Sequence, residues 1–351
     1  MYSFTNDYSE GAHESILKAL FGSNLKQSLG YGLDEYSEKA KDILKNVLKN
    51  DEIDIHFIPG GTQVNLICIS SFLKQYEAAI AADTGHIAVH ETGAIEACGH
   101  KVITAASNDW KVTVDNIAKI LKIHNDEHMV KPRLVYISNS TEIGTIYKKH
   151  ELIDLYTYCK EKNLLLFIDG ARMGSAITSS ENDLELSDLV NLCDAFYIGG
   201  TKNGALFGEA LVICNDSLKQ DFRYNIKQKG ALLAKGRLLG IQFVELFKDD
   251  LFFKLAKHAN EMASLIQDAL IKENYKLLIK SSTNQIFPIL PNSFIEKLRE
   301  KYSFSTWEEY DENHTVIRVV TSWATEKDKV LDFIEDLKLT KLTCQNEEAY
   351  S

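Results

Sequence analysis

Short, almost unbroken apolar runs are the feature that most narrows the folds open to this chain of 351 residues. They span Ile55 to Ile58, Ala78 to Ala82, Leu134 to Ser138, Leu164 to Ile168, Ala195 to Ile198 and Ala210 to Ile213. A strand buried on both faces reads this way, whereas a strand with one wet face alternates apolar and polar residues. Segments of helical period lie between the runs. Ala40, Ile43, Leu44, Val47 and Leu48 recur after a polar start at Asp34, and Val64 to Leu73, Thr113 to Ile123 and His150 to Lys162 follow. Strands alternating with crossover helices predict an α/β fold with a mostly parallel central sheet flanked by helices.

A long helical tract is expected from about Ile226 to Phe247, ending at the charged break Lys248-Asp249-Asp250. Beyond it, a helix from about Phe252 to Ile271, strands near Lys276 to Lys280, Gln285 to Ile289 and Val316 to Thr321, and a helix from Glu326 to Leu337 predict a small C-terminal α+β domain. The expected division is an N-terminal arm over 1–20, a large domain over 21–248 and a small domain over 249–351, with a polar tail from Leu339 to Ser351.

The net charge of −11, without a basic block, argues against nucleic acid as a partner. No apolar run approaches the roughly 20 residues of a membrane span, and Met1-Tyr2-Ser3-Phe4 lacks the basic start of a secretory signal. Six cysteines, Cys68, Cys98, Cys159, Cys193, Cys214 and Cys344, stand apart from one another among apolar neighbours. That usage predicts reduced thiols in a cytoplasm and no zinc site.

Four segments carry chemistry. Asp169 ends the run Leu164 to Ile168, at the carboxyl edge where open α/β sheets bind ligands, and Arg172 follows three residues later. Capping the next helix is the plainer role for such an aspartate. The run Ala195 to Ile198 leads into Gly199-Gly200-Thr201-Lys202, where glycines admit a ligand close to the backbone and a desolvated lysine can attack a carbonyl to form a Schiff base. A surface lysine is the plainer alternative. Gly60-Gly61-Thr62 opens a helix whose N–H groups and dipole suit a phosphate, although many such turns bind nothing. His86 and His90, with Glu91 behind them, could hold a metal on one helical face, but the HExxH order is absent and a third ligand is missing. Together the four ask for one ligand with a phosphate, a carbonyl carbon and a basic ring nitrogen. Pyridoxal phosphate has all three.

Phe4 to His13, Gly30-Tyr31-Gly32, Gly60 to Asn65, His86 to Gly93, Asp169 to Arg172, Thr201-Lys202 and Arg318 to Thr325 stand in an order and at separations that resemble the L-threonine aldolases of the β-eliminating lyase group, over about residues 3 to 338. The resemblance implies an aspartate aminotransferase-like, fold-type I pyridoxal phosphate enzyme, a homodimer or homotetramer with its sites at the subunit interface. It implies retro-aldol cleavage of L-threonine or L-allo-threonine to glycine and acetaldehyde. By the same resemblance Lys202 is the Schiff-base lysine, with Thr201 beside it in the cofactor site. Asp169 is the partner of the ring nitrogen, His86 the stacking residue and base, and Gly60, Gly61 and Thr62 the phosphate seat. Arg172 and Arg318 bind the substrate carboxylate, and Asn6 and Tyr31 reach the substrate, Tyr31 from a partner subunit.

Two positions depart from the family pattern. Where many members carry a histidine, the loop reads Ser138-Asn139-Ser140-Thr141-Glu142, so that histidine's role either passes to Glu142 or is absent. Where others place an arginine for the neighbouring subunit's phosphate, Lys227, Lys229 and Lys235 are the candidates. Other reactions on the same cofactor are the competing readings: phenylserine-type cleavage, β-elimination or transamination. A non-catalytic cofactor-binding homologue is a further one. A nicotinamide dehydrogenase fails because no G-x-G-x-x-G follows the early strands.

Overall fold

The computed structural model describes residues 1–106 and 109–350, with side chains through residue 339. Cys344 and the other side chains of the expected polar tail beyond Leu339 lie outside the described residues. Seven strands form one sheet in the order Asp54–Ile58, Glu209–Ile213, Ala195–Gly199, Leu165–Asp169, Lys131–Ser138, Glu77–Ala82 and Val102–Ala105. All neighbours run parallel except the two pairs made by Glu209–Ile213. The six apolar runs all lie in this sheet. Its edge strand Val102–Ala105 is not among the expected ones, because four residues with Thr104 facing water make no apolar run.

Side chains on successive strand residues point to opposite faces, and the core divides accordingly. Ile80, Val135, Ile137, Leu166, Ile168, Phe196 and Val212 face one layer of helices, including Glu35–Leu48 and Lys149–Glu161. Ala79, Ala81, Tyr136, Phe167, Tyr197 and Leu211 face the other, chiefly the helix Gly61–Phe72. Helix starts follow local chemistry. The Asp34 carboxylate accepts from Ser37 N–H at 2.8 Å, and Thr113 with Asn116 closes a capping box on Val114–Ile123.

The single helix expected over Ile226 to Phe247 is two, Phe222–Gln228 and Arg237–Leu246. Gly230 stops the first one. Its φ of 76° is open to glycine, and Ala231 N–H reaches back to Ile226 C=O at 3.0 Å in the pattern that commonly ends helices.

A second, antiparallel sheet joins Gln285–Ile286, His314–Val320, Pro288–Pro291 and Lys276–Leu277, with Ser305–Glu309 also on His314–Val320. Pro288, which has no N–H for a ladder, divides the expected Gln285 to Ile289 strand, and the Lys276 strand is two residues long. The helices Leu251–Lys272, Asn292–Arg299 and Lys327–Tyr350 cover this sheet, the last extending past the expected end at Leu337.

The N-terminus is stitched across both sheets. Tyr2–Ser3 pairs with Tyr302–Ser303, and the ring of Phe4, fully buried, lies 5.0 Å from that of Phe333. The chain then crosses to the large sheet, where His13 N–H donates to Gly204 C=O at 2.8 Å.

Candidate active site

The alternation that sorts the core also builds the first functional group. Asp169 ends its strand on the face that carries Phe167, and Tyr136 and Tyr197 stand on the same face of the two flanking strands. Both tyrosine hydroxyls donate to the Asp169 carboxylate at 2.5 Å, Ala171 N–H at 3.0 Å and Asn65 Nδ2 at 3.1 Å. Burial works against the charge of Asp169, but His86 nearby and the tyrosine and Ala171 donors outweigh it and hold the carboxyl below the usual range. Gly170 is required here, since a Cβ would sit 1.8 Å from Tyr197 C=O.

Lys202 lies in the turn after Ala195–Gly199 and faces the same space. Burial, and then the like charge of Arg172, lower its ammonium to about 8, which leaves a usable fraction of neutral amine near neutrality. Arg172 is clamped. Its Nε and one Nη donate to the two oxygens of Asp7 at 2.7 and 3.0 Å, while Asn284 Nδ2 donates to Asp7 at 2.9 Å. Burial alone raises the Asp7 carboxyl, yet Arg172 and Lys202 pull it below its ordinary value. Arg318, brought in by His314–Val320, is lowered to about 10 by burial and by Arg172, and its buried Nε has no partner.

On the opposite wall, Gly60 precedes the helix Gly61–Phe72 with no side-chain cap, so the first N–H groups of a twelve-residue helix point at the cleft. Nothing lies within 4 Å of a Cβ built at Gly60, and at Gly61 one would meet the Tyr197 hydroxyl at 3.0 Å. His86 Nδ1 pairs with Glu91 at 2.8 Å, and Glu91 is bound in turn by Asn65 Nδ2 at 2.7 Å. A chain of contacts thus links His86 to Asp169. Glu142 accepts from His86 N–H at 3.0 Å and from Ser138 Oγ at 2.7 Å, and burial raises its carboxyl.

These groups line one cleft of about 530 Å³. It contains Gly60, Gly61, Thr62, His86, Glu142, Asp169, Arg172, Thr201, Lys202 and Arg318 among the residues expected from sequence. Asn6 and Tyr31 are not in its wall. Asn6 Oδ1 accepts from Tyr8 N–H and Ser9 Oγ, and Tyr31 lines a small separate cavity beneath Lys227, whose Nζ lies 4.6 Å from its ring centre. Lys229 lies near the Gly60–Thr62 turn of its own chain, its C=O accepting from Gln63 Nε2. The rings of His86 and His90 are 5.6 Å apart, and no group of three metal-ligating side chains occurs among the described residues. Sequence reasoning weighed Glu91 only as a metal ligand behind His86 and His90, and did not single out Asp7, Asn65, Tyr136, Tyr197 or Glu209. Strand parity was a usable signal for the tyrosines alone.

The family model of the beta-eliminating lyases matches residues 9–292. A low specificity L-threonine aldolase from a Pseudomonas species is 31% identical over 344 residues, covering 95% of this chain and 96% of the relative. The solved structure of a Leishmania major threonine aldolase is 50% identical, with a TM-score of 0.96 over 97% of this chain and 100% of that one. A Thermus thermophilus aspartate aminotransferase, 12% identical, shares the fold with a TM-score of 0.71 over 97% of this chain and 91% of its own.

Proposed function

The chain belongs to the beta-eliminating lyase family, and we propose that it uses pyridoxal phosphate to split β-hydroxy amino acids, releasing glycine and acetaldehyde from L-threonine or L-allo-threonine. One observation carries the reading. A single cleft holds a desolvated amine at Lys202, lowered to about 8, a tyrosine-clamped carboxylate at Asp169 and an uncapped helix start at Gly60–Thr62. The donor set fits the group. Arg318, whose buried Nε has no partner, and the uncapped start of the helix Gly61–Phe72 face one space and offer unmet donors to a carboxylate and a phosphate. When bound, pyridoxal phosphate supplies the electron sink for the pair left behind when Cα–Cβ breaks.

Lys202 would hold the cofactor's aldehyde carbon, Asp169 its ring nitrogen, and Gly60, Gly61, Thr62 and Thr201 its phosphate. Arg318 presents a guanidinium fork to the substrate carboxylate. Arg172, with Nε and one Nη committed to Asp7, offers its remaining edge and fixes the angle of approach. Fixing the carboxylate selects which Cα bond is aligned for cleavage. His86 takes the β-hydroxyl proton. Glu91 on Nδ1 orients the ring and leaves Nε2 as the working atom. Glu142, tied to the backbone of His86 in the same cleft wall, is the second candidate to take that proton.

Purified, cofactor-loaded protein is expected to release acetaldehyde from both threonine diastereomers, with a loss of several orders of magnitude in Lys202→Ala. Cofactor binding without aldehyde from either substrate overturns the aldolase reading and leaves the cofactor site intact.

The assembly is a homo-oligomer. Phe21, Leu25 and Leu29 are 86%, 93% and 70% exposed on one segment, an apolar surface suited to a second copy, and Tyr31 closes that segment where it can reach a partner's cleft. Light scattering that gives a monomer refutes this. We place the boundaries at an arm 1–20, a large domain 21–248 and a small domain 249–351. No described helix is long and apolar enough to cross a membrane, and the five described cysteines are free, which supports a reducing cytoplasm.

A further inference from the structure

Glu209 is a buried acid on the wall of an anion site, a position the mechanism above does not use. It opens the strand Glu209–Ile213, in register with Ile58 on one side and Gly199 on the other, so that the Pro59-Gly60-Gly61 turn follows directly beside it. The residue is 4% exposed and borders the cleft with Thr201 and Gly61. One carboxyl oxygen accepts from Gly200 N–H at 2.9 Å. The other is 2.7 Å from Thr201 Oγ1, which itself accepts from Gly208 N–H at 2.9 Å.

This network is satisfied in two ways. With Glu209 ionised, both its oxygens accept and the Thr201 proton is spent on Oε1. With Glu209 neutral, Oε2 still accepts from Gly200, but Oε1–H donates to Thr201 Oγ1 and the threonine proton turns outward to the cleft. Neither state leaves a buried polar atom unpaired. Only the neutral state removes a negative charge from the wall and offers a donor to the ligand.

We propose that Glu209 carries a proton whenever a phosphate dianion occupies the Gly60–Thr62 turn, so that cofactor phosphate and one proton from solvent are bound together. The proposal rests on the phosphate seat assigned above. The charged and titratable groups facing Glu209 are Lys202 from the same loop, Asp169 from the next strand but one and the Tyr197 hydroxyl, while Ile58 to Thr62 bring none. Asp169 and an incoming dianion both oppose a third negative charge in the same enclosure. Burial already pushes the Glu209 carboxyl up to about 8, against the pull of Thr201, Lys202 and Gly200.

The test is calorimetry of the full-length, cofactor-stripped protein with inorganic phosphate at about pH 9, in two buffers of different ionisation heat. Phosphate is a dianion there, so any proton taken up goes to the protein. The wild type is expected to take up close to one proton per phosphate and to lose about fivefold in affinity between about pH 8 and 9. Glu209→Gln, whose amide donates to Thr201 Oγ1 as the neutral acid does, is expected to bind with little uptake. Uptake that persists in Glu209→Gln and vanishes in Lys202→Met assigns the proton to Lys202 and overturns the proposal. An infrared difference spectrum of the wild type needs no variant: phosphate must convert a carboxylate band to a carboxylic acid band, and its absence is equally fatal. Binding without proton uptake removes only the role of Glu209. Failure to bind either phosphate or pyridoxal phosphate removes the cofactor reading as well.

Discussion

Asp7→Asn tests whether the N-terminal arm is part of the active site or merely lies beside it. Asp7 is 1% exposed, and the Arg172 side chain is 13% exposed. One Asp7 oxygen accepts from Arg172 Nε and Asn284 Nδ2, the other from Arg172 Nη2. An asparagine cannot reproduce this, since its NH2 group faces a donor in either flip. The substitution also leaves the guanidinium buried beside Lys202 and Arg318 with its counter-charge gone. Breaking a buried pair on one side costs about 3–5 kcal/mol, and the donor clash places this case near 4, or roughly a thousandfold in the unfolding equilibrium. Urea unfolding of the cofactor-free protein at neutral pH measures it. In the double-mutant cycle with Arg172→Met, the double variant should recover most of the loss, because no charge is then stranded. The pH profile has a fixed sign. The Arg172 guanidinium and Lys202 hold the folded carboxyl below its ordinary value, so its contribution is complete above that ordinary value and is lost as pH falls through the folded one. The gap between wild type and variant should therefore be constant from about pH 8 to 5 and close only in more acidic solution. A loss below about 1 kcal/mol, or additive single substitutions, would refute the claim that this pair pins the arm.

His86→Ala should lower kcat by about 10²–10⁴-fold if His86 is the base, and Glu91→Gln by less, because the ring remains but its orienting anion is gone; unchanged kcat in His86→Ala moves the role to Glu142. Gly170→Ala forces a Cβ to within 1.8 Å of Tyr197 C=O, so no soluble folded protein is expected on expression, and a native circular-dichroism spectrum with normal melting would contradict the packing described. Lys49→Ala removes an ion pair with Glu185 whose side chains are 68% and 70% exposed, and its urea midpoint should match the wild type within error.

The large sheet was legible because burial on both faces demands apolar runs, and six such runs survive in the sequence as six strands. What escaped was set by single residues. Gly230 ended a helix inside an otherwise periodic tract, and Pro288 split a strand that its neighbours would have continued. The residues that meet the cleft from strand ends and glycine turns, Asp169, Lys202 and Gly60 to Thr62, were readable locally because topology sends those ends to one edge.

The groups that give those residues their chemistry were not readable locally, and charge compensation explains why. Asp7 meets Arg172 across 165 residues, Tyr136 meets Asp169 across 33, and Asn65 joins Glu91 to Asp169 from a helix on the facing layer. Each contact offsets a buried charge whose cost exists only after the sheet has formed, so nothing near Asp7 in the chain states what it balances. Tyr136 and Tyr197 could have been predicted once Asp169 was placed, because strand parity puts all three on one face and a buried carboxylate requires donors. Asp7 could have been predicted only from the needs of Arg172: a buried guanidinium requires acceptors, and no residue near it in the chain states that they come from the N-terminal arm. In this protein Asp169 and Lys202 lie at strand ends on one edge of the large sheet, and the counter-charge that holds Arg172 is brought in by an arm whose Phe4 C=O accepts from Val320 N–H of the smaller sheet.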